Sequence, residues 1–152
     1  MVFSDADFDA LLSDESKRID RDITWSEDED HSLSREFLVE VTSSVGWPLV
    51  VRGSYNPFVP ALTYALILKT VGRIYALCLG KDHHNPTCDW IGDRHKHRWN
   101  EKLRDKEAYV PQDITATASQ IHLAWEQFLR ETRITHHGVL QPYPPIPRGL
   151  FW

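Results

Sequence analysis

Long hydrophobic runs are missing from this chain. The most apolar stretch, Val59 to Leu68, is ten residues long and is interrupted by Pro60, Thr63 and Tyr64. A membrane-spanning helix needs about twenty apolar residues, so no membrane role is expected. No basic start followed by an apolar run and a small-residue cleavage site opens the sequence, which favours a cytoplasmic protein over a secreted one. Cysteine is scarce, with only Cys78 and Cys88 in 152 residues. Two thiols fit a reducing compartment better than a disulfide framework. Internal repeats are absent as well, which excludes solenoids and propellers. At 41% hydrophobic and 26% charged residues the composition is that of a globular chain. A chain of this size buries roughly two-thirds of its unfolded surface, enough for a core without a staple.

Charge is concentrated by sign. Residues 1–30 carry eleven acidic side chains against Lys17, Arg18 and Arg21, a net −8, whereas residues 31–152 are net +3. An acidic arm on a mildly basic body can stay solvated, fold back over the body, or compete with nucleic acid for it.

Periodicity divides the chain into three stretches. Residues 1–30 read as an acidic N-terminal arm with a short amphipathic helix: Ser4 caps it, Asp5 and Asp7 suit its positive end, and Phe8, Leu11, Leu12 and Ile19 approximate an apolar stripe. Ser26–Asp30 reads as a loop. From Arg35 the period falls to two, with Phe37, Val39 and Val41 alternating with Glu36 and Glu40. Leu49–Val51 is a second strand, and Ala61–Thr70 and Arg73–Leu79 form a hairpin around Gly72. Residues 80–94 read as a turn-rich excursion, and His95–Asn100 as the returning strand. Ile114, Ala118, Ile121, Trp125, Phe128 and Leu129 recur at helical spacing, so a long packing helix capped by Asp113 or Thr115 is predicted. Residues 31–134 are therefore an α+β domain with a mostly antiparallel sheet and one long C-terminal packing helix. Residues 135–152, with Pro142, Pro144, Pro145 and Pro147, are a proline-rich tail.

Chemistry is concentrated between Lys81 and Tyr109. His83, His84, His95 and His97 lie within fifteen residues of one another, among Lys96, Arg98, Lys102, Arg104 and Lys106. Strand alternation places His95, His97 and Trp99 on one face and Lys96 and Arg98 on the other. Pairing of residues 73–79 with 95–99 brings the turn bearing His83 close to that face. Three readings fit such convergence. Imidazoles hold zinc, nickel or copper, with His83, His95 and His97 as ligands. Without metal, His95 and His97 are an acid–base pair for an RNA 2′-hydroxyl, because imidazole titrates near pH 7. In that reading His83 assists, Asn85 orients a histidine, and Lys106 stabilises charge. Lys96, Arg98, Trp99, Lys102, Arg104 and Tyr109 then hold a single strand, RNA in preference to DNA. The third reading is a histidine-rich sheet edge that serves the scaffold.

His83-His84-Asn85-Pro86, Ile91-Gly92, His95-Lys96-His97 and Asp105-Lys106-Glu107-Ala108-Tyr109 together resemble an uncharacterised bacterial and prophage family. Its pattern runs His-x-Asn-Pro, Gly-x-His-x-His, Asp-Lys-x-Ala-Tyr. The resemblance covers about residues 73–130. It implies a role similar to that of small toxin–antitoxin proteins or other conflict-system proteins.

The leading expectation is a conflict-system protein acting on nucleic acid through the His-rich hairpin, by RNA cleavage and without a cofactor. A non-enzymatic inhibitor of a protein partner, with the acidic arm as phosphate mimic, is the alternative. A zinc-binding module is the second alternative.

Overall fold

The computed structural model describes residues 2–27, 34–80 and 94–142, together with the backbone of 83–84 and 90–91. In chain order the elements are helix α1 (Asp5–Ser13), strands β1 (Arg18–Ile19), β2 (Ser26–Glu27), β3 (Arg35–Val41), β4 (Leu49–Asn56), β5 (Ala61–Leu68), β6 (Gly72–Leu79), β7 (His83–His84), β8 (Trp90–Ile91), β9 (Arg94–Arg98) and β10 (Ala108–Tyr109), helix α2 (Ile121–Thr132) and strand β11 (Thr135–His136).

The alternation that begins at Arg35 builds the main sheet. Strands β10, β9, β6, β5, β4, β3 and β2 lie side by side in that order, every neighbouring pair antiparallel. Register carries one apolar row across the sheet, from Val39 through Val51 and Leu66 to Tyr75. A second row runs Phe37, Gly53, Tyr64, Leu77 and ends on Lys96. Gly53 is required there: a Cβ at that position would lie 2.1 Å from the Phe37 ring, which packs across the bare backbone.

Helix α2 covers this face. The Tyr64 hydroxyl donates to the Ile121 carbonyl at 2.9 Å, and the Tyr64 ring meets Trp125 at 5.0 Å and Phe128 at 5.8 Å. The architecture is α+β, as the periodicity predicts. The helix begins later than predicted, with Gln120 and not Asp113 or Thr115 at its N-cap. The physical reason is Gln127. Its side-chain carbonyl accepts from the Thr115 and Ala116 amides, both at 3.1 Å, and its amide donates to Thr115 Oγ1 at 2.8 Å. Those bonds replace the intrahelical ones and hold residues 114–118 extended. Ile114, Ala116 and Ala118 are buried while Thr115 and Thr117 are exposed, a period of two.

At the N-terminus, Ser4 Oγ accepts from the Asp7 amide and Asp7 accepts in return from the Ser4 amide, a capping box. Phe8 and Leu11 of α1 are buried in the same cluster as Ile19, Ile23, Trp25, Tyr64 and Phe128. Several of the acidic side chains of this stretch are hydrogen-bonded, Asp14 to Ser16 and Asp20 to Arg18 locally, and Asp20 to His137 and Asp22 to the Val139 amide across the chain. Ser26–Glu27, read from sequence as loop, adds a short strand at the β3 edge. Residues 135–141 run alongside residues 17–25: β11 pairs in parallel with β1, and Ile23 bridges Leu140. The proline-rich end of the tail lies outside the described residues.

Candidate functional site

Pairing of β6 with β9 sets Cys78 opposite His95 and Ala76 opposite His97, while β10 places Ala108 on the other side of His97. Two alanines beside His97 leave room for its imidazole. The side chains of Cys78, His95 and His97 rise from the sheet face opposite α2, since their strand neighbours Leu77 and Lys96 face the helix. One ligand atom each of Cys78, His95 and His97 lies within 4.8 Å of the others. The His95 and His97 rings are 5.3 Å apart, edge to face, and each residue is only 3% exposed. His97 Nδ1 is 2.7 Å from the Asp105 carbonyl oxygen. A carbonyl only accepts, so Nδ1 carries the proton and the lone pair of the neutral ring sits on Nε2. Burial pushes the Cys78 thiol above its ordinary value, with Arg73 acting weakly in the other direction.

The remaining predicted residues divide into two groups. Lys96 is buried beneath α2, its ammonium 2.5 Å from Glu131 and 3.2 Å from Asp113, and over the Tyr109 ring at 5.3 Å. Burial opposes the charge on Lys96, but the Glu131 bond and the other contacts outweigh it and raise the ammonium above its ordinary value. Arg98 shares that face, over the Phe8 ring at 5.4 Å. Trp99 is buried against Phe3, 4.8 Å away, with the Arg104 guanidinium over the Trp99 ring at 5.6 Å. Lys102, Arg104 and Lys106 are exposed on the loop that follows β9, and Tyr109 is half-buried in β10. His83 pairs through its backbone with Ile91. Its side chain and the whole of Asn85 lie outside the described residues, so the structure places neither against the His95–His97 pair.

A model of the family of unknown function DUF6978 matches residues 3–134. The chain belongs to this family. The match takes in the N-terminal helix as well as the histidine-bearing strands, and stops before the proline-rich tail. Among curated proteins and among solved structures there is no match.

Sequence reasoning passes over one member of the cluster in this DUF6978 chain, Cys78, because seventeen positions separate it from His95. Counting the register of the predicted pair 73–79 with 95–99 was the available signal. Asp113 and Glu131, the partners of Lys96, have no such signal, since they come from an irregular segment and a helix.

Proposed function

We propose that this DUF6978 protein binds a divalent transition metal, zinc by preference, through Cys78, His95 and His97. The observation that carries the reading is the His97–Asp105 bond. Metal-ligating histidines donate their second ring nitrogen to a carbonyl or carboxylate, which fixes the tautomer and turns the other lone pair to the ion. One thiolate and two imidazoles form a borderline-soft set suited to zinc. Three protein donors leave the fourth tetrahedral position to water, the arrangement of catalytic zinc sites. On binding, the Cys78 S–H bond breaks: the electron pair goes to the metal and the proton to solvent.

Purified protein is expected to hold about one zinc ion per chain, and cobalt in its place should give a thiolate charge-transfer absorption. Cys78→Ser and His97→Ala should each remove that absorption and the rise in melting temperature on adding zinc. Protein that is folded, metal-free and unmoved by zinc or cobalt overturns the reading.

A second reading, RNA cleavage by a conflict-system protein, is favoured by the 5.3 Å separation of the two rings and by the cationic loop that begins just beyond β9. The same samples separate the two. Cleavage of RNA or growth inhibition that survives chelator but is lost in a His95→Gln, His97→Gln protein belongs to acid–base chemistry.

A further inference from the structure

We infer that the loop following β9 forms a second site, for a phosphate group, separate from the Cys78–His95–His97 cluster. The loop is closed on itself. Asn100 and Arg104 exchange backbone hydrogen bonds at 2.9 and 2.8 Å, and Asn100 Oδ1 accepts from the Leu103 amide at 2.7 Å. Closure holds Arg104 at a φ of 58°, left-handed backbone that a residue with a side chain rarely adopts. That conformation turns the Arg104 guanidinium back over Trp99 rather than out along the loop.

Behind the loop is a cavity of about 590 Å³, whose wall includes Phe3, Arg73, Trp99, Arg104, Asp105 and Lys106. Arg73 and Asp105 neutralise each other at 2.6 Å. Arg104 and Lys106 form no ion pair among the described residues, so this wall carries two uncompensated positive charges. Trp99 also forms part of this wall. Trp99 is 3% exposed, and its Nε1 is buried with no acceptor among the described residues. A buried donor without an acceptor is costly.

A guanidinium and an ammonium on one cavity wall are complementary to a phosphate, which offers several acceptor oxygens and about two negative charges. Phe3 beside them suits an organic remainder. The shared chemistry is a phosphate group, supplied by a free phosphorylated small molecule or by a nucleic-acid backbone.

The test titrates full-length protein, by calorimetry at low salt, with inorganic phosphate, adenosine monophosphate and a short single-stranded RNA lacking terminal phosphates. Binding of the monophosphate alone identifies a small phosphorylated ligand, and binding of the RNA identifies a backbone contact; either supports the site. Arg104→Gln and Lys106→Gln should each lower affinity about tenfold. Arg130→Gln, an exposed charge on α2 away from the cavity wall, should leave it unchanged. All three positions are exposed, so the variants should melt as the wild type does. No binding of any probe, or an equal loss in Arg130→Gln, overturns the inference. Repeating the titration with Cys78→Ser in chelator keeps the outcome independent of the metal proposal, because this site needs no metal.

Discussion

Lys17 illustrates how far one residue can depart from its usual place. Lysine is almost never fully buried, yet Lys17 has no exposed surface, and its ammonium donates to the carbonyls of Leu11, Leu12 and Asp14 at the end of α1. These lie at the end of the helix, where carbonyls run short of intrahelical donors; Leu11 alone of the three also accepts from a backbone amide there, that of Asp14 at 3.3 Å. Burial is the largest influence and lowers the group to about 8 from an ordinary 10.5. Between those two values the unfolded chain holds a proton that the folded chain has released, so stability should rise with pH across that window. Lys17→Met keeps the stem but not the donors. It should cost about 2–3 kcal/mol at neutral pH and remove the rise, which urea melts at about pH 7.5 and 9.5 would reveal. The sequence shows none of this, because a lysine in a charged stretch looks solvated. The same default applies to Lys96. Alternation correctly separates Lys96 and Arg98 from His95 and His97, but not which face the core takes. That is decided by Leu77 on the neighbouring strand and Tyr64 two strands away.

At the scale of elements, strands are far more legible than helix ends. The strand from Arg35 to Val41 and the hairpin around Gly72 are close to their predicted bounds because alternation is a local signal. Residues 114–118 show where locality fails: Ile114 and Ala118, four apart, satisfy a helical stripe and an extended period of two equally well. Gln127, nine positions beyond Ala118, breaks the tie. Gln127→Ala should strand the Thr115 and Ala116 amides and cost about 1–3 kcal/mol. Phe128→Ala, which empties a fully buried site between Tyr64 and Tyr75, should cost about 3–5 kcal/mol. Chemical denaturation of both variants checks the order. A loss at Phe128 under about 1 kcal/mol would be incompatible with burial.

For the molecule as a whole, the burial of Phe8, Leu11, Ile19, Ile23 and Trp25 in one cluster with the sheet leads to a definite expectation for a chain lacking residues 1–30. Such a chain should lose its cooperative melt, because the cavity left is several side chains deep. A sharp transition in the shortened protein would show that the sheet and α2 suffice. Burial of these side chains was partly readable from the stripe in α1; their partners were not. The amide of Thr135 donates to the Lys17 carbonyl, His137 to Ile19 and Gln141 to Ile23, while Ile23 donates to Val139. These contacts join positions more than a hundred residues apart, and no local pattern announces them. They also tie the opening and kinetic protection of the two segments together. An amide in this parallel seam meets deuterium only when both segments lift, so Ile23, Thr135, His137 and Gln141 are expected to exchange at one common rate, as a single opening unit.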